Sequence, residues 1–103
     1  MSHQFDDQPV GSRVLFENEW VRVWEIEVEP GQTLAMHNHQ LNYVTVALDE
    51  GDLEVHELNG TLHRNHRRPG DIQVTEVGAG QIHELRNLGQ TVYRNRLMEF
   101  KAR

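Results

Sequence analysis

No cysteine occurs among the 103 residues of the chain. Disulfide frameworks, thiolate zinc ribbons and thiol nucleophiles are therefore excluded, and a transition-metal site would have to be built from His, Asp, Glu or Tyr. Basic residues are scarce too: 10 Lys and Arg stand against 16 Asp and Glu, a formal charge of -6. That balance argues against general attraction to nucleic acid or to anionic membranes. No stretch approaches the roughly 20 apolar residues of a spanning helix. The opening MSHQFDDQPVG has neither the basic cap nor the apolar run of a secretory signal. A soluble cytoplasmic protein is the expectation, with a small anionic molecule or a second copy of itself as partner. Helical periodicity is also missing, since no window supports a helix longer than a turn or two.

What is present is a series of short β-prone runs cut by Gly, Pro, Asn and Asp. A polar arm over residues 1–11 precedes a single domain over 12–103. Strands are expected near Arg13–Phe16, Val21–Val28, Thr33–His37, Tyr43–Leu48, Asp52–Leu58, Ile72–Val77, Ile82–Arg86 and Thr91–Phe100. Turns are offered by PGQ, DEGD, LNGT, RPGD, GAG and NLGQ. Many short strands with regular turns imply a sandwich or barrel, an all-β fold. In the fourth run Val44, Val46 and Leu48 alternate with Tyr43, Thr45 and Ala47. Neither set is charged, so both faces need cover, one from the barrel interior and one from a partner. A symmetric homodimer follows, to which Val14, Phe16, Val21 and Val23 are natural contributors.

Seven histidines are the conspicuous metal-capable residues. His37 and His39 have strand spacing, so both rings share a face and can aim at one ion. His83 follows a glycine turn in GAGQIHELRN and shares a face with Leu85 and Asn87. The bland alternative is that the three line a pocket without metal or lie in solvated loops. The run HRNHRR, from His63 to Arg68, reads as a solvated hairpin tip rather than an anion patch or a chance metal site. His3 and His56 receive no role. Arg94 and Arg96 interrupt a strand on the face of Val92, Met98 and Phe100. Inward, they could clamp a substrate carboxylate; outward, they would meet acids such as Glu25 or Glu27, the reading that the cost of unpaired buried arginine favours.

The two segments PGQTLAMHNH and GDIQVTEVGAGQIHELRN resemble the signature motifs of the cupins. Gly31 precedes His37-x-His39 by five residues; Gly70 opens the second motif; and Gly80, two residues, His83, three residues and Asn87 match its end. Two features depart from the family pattern. Tyr43 and Val44 stand where a glutamate ligand is usual, and Gly78 replaces the proline of the second motif. The layout HNHQLNYVTVALDEG is similar to very small single-domain cupins, some labelled β-alanine degradation proteins.

The resemblance implies a double-stranded β-helix, a small jelly-roll barrel with a divalent transition metal (Fe, Ni, Zn or Mn) at its mouth, held by His37, His39 and His83, and a chain that pairs as a dimer. Tyr43 is assigned a role beside the ligands or facing the substrate, as the candidate catalytic residue. The function implied is a metal-dependent enzyme of dioxygenase, isomerase or lyase type acting on a small carboxylate or carbonyl compound. The alternative is a non-catalytic module that binds metal or a small molecule. Asp71 and Glu84 are considered as general bases, but Glu84 directly follows a ligand and should face the other way.

Overall fold

The computed structural model describes residues 5–101. Nine strands and no helix occur among them. They are β1 (Arg13–Glu17), β2 (Val21–Val28), β3 (Thr33–His39), β4 (Tyr43–Ala47), β5 (Gly51–Glu57), β6 (Leu62–Arg67), β7 (Ile72–Thr75), β8 (Gln81–Asn87) and β9 (Tyr93–Phe100). All pairings are antiparallel. One sheet has the order β1-β2-β9-β4-β7 and faces a second of order β3-β8-β5-β6. The two enclose a narrow interior, the all-β jelly-roll architecture expected from the run of short strands. His3 lies outside the described residues.

Eight of these strands correspond to expected ones. The ninth, β6, corrects the reading of HRNHRR as a solvated hairpin tip: from Leu62 to Arg67 the segment pairs along its length with β5. Charge concealed it. Arg64 and His66 point outward, while His63, Asn65 and Arg67 point in, so a polar outer face and a polar inner face together erase the usual apolar alternation.

Alternation along the other strands sorts residues cleanly. From β2, β4 and β9 the interior receives Ile26, Val28, Tyr43, Ala47, Tyr93 and Leu97, all buried. Each buried aliphatic of this set contributes on the order of 1.5–3 kcal/mol. The facing sheet supplies Leu53 and Val55 from β5 and Leu85 from β8, and Leu85 packs against both apolar clusters of the core. Val10, ahead of β1, is also buried in the larger cluster, and Asn38 N–H donates to the Phe5 carbonyl at 3.3 Å, so residues 5–11 lie against the barrel wall. Gly51 is a case of required close approach: a Cβ there would stand 2.6 Å from the Tyr93 ring.

Asn87, wholly buried, ties the end of β8 to its surroundings. Its Nδ2 donates to the Val28 and Thr91 carbonyls at 2.9 and 2.8 Å, and its Oδ1 accepts from Gly89 N–H at 2.9 Å. At roughly 1 kcal/mol net per bond, this asparagine stabilises the loop that returns the chain from one sheet to the other.

The outer face of the five-stranded sheet has two rows. Val74, Val44, Met98, Val23 and Phe16 stand in register across all five strands as an apolar stripe. Beside it, Arg13 and Arg96 flank Glu25 from the neighbouring strands, and both guanidinium groups contact its carboxylate. Arg94 pairs with Asp49 at 2.8 Å rather than with Glu27. Arg94 and Arg96 therefore face outward, because inward positions of β9 are taken by Tyr93, Asn95, Leu97 and Glu99.

Candidate metal centre

β3 and β8 are edge and neighbour in the four-stranded sheet, and His37 lies directly opposite His83 in their ladder. Leu34 pairs with Leu85 in the same ladder, so three residue steps on β3 span two on β8. This bulge changes the parity of β3. Without it a strand that turns Leu34 inward would turn Met36 and Asn38 inward and both histidines out. With it, Leu34 packs on the core while His37 and His39 enter the interior. Ala35, inside the bulged segment, accepts a hydrogen bond from His37 Nδ1 at 2.7 Å. Gly80 completes the arrangement on the other strand. Its φ of +132° suits glycine, and a Cβ there would come 2.8 Å from Asn38 Oδ1.

The three rings converge. Nε2 of His39 stands 3.0 Å from Nε2 of His37 and 3.0 Å from Nε2 of His83. Of the six described histidines, His56, His63 and His66 each pair with a carboxylate near the surface. His37 and His39 are buried and His83 nearly so, and none of the three meets a carboxylate among the described residues. Burial holds all three imidazoles neutral. Desolvation, reinforced by the mutual repulsion of the rings, brings His39 down to about 2. Desolvation likewise brings His83 to about 4, and it lowers His37 against the opposing bond to Ala35.

Neutral rings cannot satisfy these contacts among themselves. Because His37 Nδ1 carries the proton donated to Ala35, its Nε2 presents a lone pair. His39 Nε2 can donate its one proton to His37 or offer a lone pair to His83, but not both. A divalent ion accepts all three lone pairs at once. His37, His39 and His83 would hold such an ion, and three protein ligands would leave positions open for a further ligand. The donor set fits a transition metal: three imidazoles, no thiolate and no carboxylate.

Tyr43 lies at this centre, not in it. Its ring stacks on His39 with centroids 4.2 Å apart and planes 26° from parallel, and its hydroxyl donates to Gln81 Oε1 at 2.6 Å. Desolvation raises its pKa, so the phenol stays protonated. The same cavity, about 90 Å³, continues past the histidines between apolar walls from Ile26, Leu34, Leu53 and Leu97 to a polar floor of Asn65, Arg67, Gln73 and Asn95.

Several of these residues escape a reading of motifs. Glu57 pairs directly with His83 across β5 and β8 and holds His63 Nε2 at 3.1 Å from its Oε2. The signal was there: Leu53, Val55 and Glu57 share one face of β5. Arg67, Gln73 and Asn95 lie in segments whose polarity looks like surface. Glu84 does face away, toward His56 at 3.6 Å, and Asp71 caps the turn after β6 by accepting from Arg68 N–H.

The chain is thus an all-β barrel of two antiparallel sheets, with three histidines converging inside and a cavity beneath them. No protein-family model matches the chain, and no curated protein matches it. Solved structures do. A cupin domain from Bordetella pertussis Tohama I superposes with a TM-score of 0.80 at 27% identity, over 87% of this chain and 91% of that one. A protein with a double-stranded β-helix domain from Klebsiella pneumoniae superposes at 0.64 and 27% identity, over 90% of this chain and 77% of the other. A cupin-superfamily sugar phosphate isomerase from Silicibacter pomeroyi superposes at 0.58 and 16% identity, over 81% of this chain and 52% of its own length. The chain has the double-stranded β-helix fold of these cupin domains. No comparison bears on the β-alanine degradation label.

The depressed histidines make stability depend on pH with a definite sign. A group whose folded pKa lies below its unfolded value of about 6.5 contributes fully above that value and loses its contribution as pH falls toward the folded one. Metal-free protein should therefore lose stability from pH 6.5 down to about 4, with a slope near 1.4 kcal/mol per pH unit for each titrating ring. Urea unfolding across this range should be shallower for His39→Gln than for the parent. Parallel pH profiles would show that His39 is not held neutral by its surroundings.

Proposed function

We propose that His37, His39 and His83 hold one divalent transition-metal ion (Fe, Ni, Zn or Mn) and that the chain is a metal-dependent enzyme acting on a small carboxylate or carbonyl compound. The observation that carries this reading is the meeting of three neutral Nε2 atoms that cannot satisfy one another. Bound there, the ion would polarise a carbonyl or acidify a water. The reaction is of dioxygenase, isomerase or lyase type. The sugar phosphate isomerase among the neighbours supports the fold rather than a substrate, at 16% identity. The cytoplasmic setting expected from the composition belongs to the same proposal; among the described residues no helix is long and apolar enough to cross a membrane.

The chain's own residues divide the remaining work. Tyr43 keeps the His39 ring in plane by stacking, while its hydroxyl and Gln81 form a polar edge that a bound anion can meet. The apolar wall of Ile26, Leu34, Leu53 and Leu97 excludes water from the approach. Glu57, opposite His83 and linked to His63, supplies a carboxylate that can take a proton at the rim.

Elemental analysis of protein purified without added metal should find about one transition-metal ion per chain. A chelator should lower the melting temperature, since bound metal stabilises the folded state by mass action. Full metal content in a His37→Ala, His39→Ala double variant after dialysis would remove the assignment. Turnover in an oxygen-consumption screen with small keto acids and diketones then separates an enzyme from a binding module.

Replacing Tyr43 by glutamate tests the charge argument. Three neutral imidazoles leave the ion its full positive charge, so small anions should bind well, and a carboxylate at this position should compete with them. Tyr43→Glu is expected to keep metal and to weaken binding of acetylacetonate, oxalate and malonate at least tenfold, about 1.4 kcal/mol. Equal affinities by calorimetry would reduce Tyr43 to a space-filling role.

The partner proposed for the outer stripe is a second copy of the chain. Val74 and Ile72 are 71% and 67% exposed and continue into Val44, Met98, Val23 and Phe16. The neighbouring row carries both signs, in Arg13, Glu25 and Arg96, which suits a two-fold contact in which each patch meets itself. Light scattering at micromolar concentration should give twice the chain mass, and Val74→Glu should shift it to the monomer. A monomeric parent protein would remove this proposal.

A further inference from the structure

Arg67 is 6% exposed, yet it is the buried arginine that no carboxylate of the described residues pairs with. Four other arginines have acids: Arg13 and Arg96 share Glu25, Arg94 holds Asp49, and Arg22 reaches Glu99 at 3.3 Å. Arg67 has neutral partners. Its Nη1 donates to Gln73 Oε1 at 2.6 Å and its Nη2 donates to the Asp71 carbonyl at 3.1 Å. A guanidinium carries five N–H donors, so the fork is held in place by two bonds with donors to spare. Burying such a charge without a counter-ion is costly, and buried charges are as a rule paired.

Its position says what could pair with it. Arg67 enters the interior from the inward face of β6, opposite Gly51, and lines the same cavity as His37, His39 and His83. Gln73, which fixes its fork, stands opposite Thr45, two residues along β4 from Tyr43, so Gln73 lies about 7 Å deeper than the Tyr43 level. A second orphan shares the floor. Asn95 is 4% exposed; its Nδ2 donates to the Tyr93 hydroxyl at 3.1 Å, while its Oδ1 is buried without a partner. One cavity thus offers a cation lacking an anion and, opposite Ala47 and so four residues along β4 from Tyr43, an acceptor lacking a donor.

We propose that Arg67 binds the carboxylate of a small two-ended substrate whose other end, a carbonyl, hydroxyl or second carboxylate, reaches the three-histidine centre, and that Asn95 Oδ1 accepts a hydrogen bond from a hydroxyl or ammonium group along its length. This deepens the metal reading and rests on it for the outer end of the ligand. The cavity of about 90 Å³ suits a short chain, a hydroxy, oxo or amino dicarboxylate or its close analogue.

The test uses metal-loaded protein titrated by calorimetry with acetohydroxamate, which engages only the metal end, and with succinate and malate, which have two ends. Arg67→Met should weaken succinate and malate at least tenfold and leave acetohydroxamate within twofold. Arg67→Lys, which keeps the charge and loses the fork, should fall between. Asn95→Leu should erase any preference for malate over succinate. A purely structural Arg67 would lower affinity for all three ligands together or for none, and either result overturns the proposal. A second arm uses chelator-treated protein, in which succinate should raise the melting temperature of the parent but not of Arg67→Met. That arm still reads the Arg67 site if no metal binds at the histidines; if metal binds and succinate protects neither protein, the metal reading stands and this one falls. Should Arg67→Met fail to fold, the Arg67→Lys ratio of succinate to acetohydroxamate affinity decides, an unchanged ratio counting against the proposal.

Discussion

Three imidazole nitrogens facing one point inside a protein have to be held there against solvation, and much of this barrel does that holding. The rings stay neutral because they are buried, and they stay buried because two sheets close over them. The bulge in β3 is the device on which the geometry turns. It lets Leu34 join the apolar core and still delivers His37 opposite His83, and the carbonyl of Ala35 within it orients the His37 ring so that Nε2 presents its lone pair. Tyr43 then clamps His39 from the opposite sheet.

The interior is graded. Near the histidines the wall is apolar, which strengthens electrostatic interactions within the site; at the floor it is polar, with Arg67, Gln73, Asn95 and Asn65. A jelly roll that needed only stability would fill this floor with aliphatic side chains, as the upper layer of the core is filled by Ile26, Val28 and Leu97. The polar floor is where the proposed carboxylate subsite lies. The lack of a carboxylate beside His37, His39 and His83 among the described residues agrees with the proposed metal site, where negative charge would be left for a ligand to bring.

The outside of the barrel is organised as simply. Charges of opposite sign neutralise one another across β1, β2 and β9, while the apolar stripe beside them runs the width of the sheet. Glu25 is buried because two arginines cover it, which makes an outward-facing position read as interior if burial alone is considered.

Much of this was legible in the order of residues. Short alternating runs between glycine turns determine a β barrel, because strand period and turn chemistry are local properties. His37-x-His39 and the later His83 were legible as a set because their spacing to glycines follows a repeated design. The absence of cysteine restricted any site to nitrogen and oxygen donors. What only the tertiary structure decided are the facts that depend on two strands at once. The bulge is a mismatch between β3 and β8, invisible in either alone. Strand β6 looks like surface because both its faces are polar, and only its pairing with β5 shows that one face looks inward. Arg67 and Arg94 are the same residue type in similar strands; one is buried against neutral partners and the other is paired in solvent, and that difference is set by which way each strand turns when the sheets close.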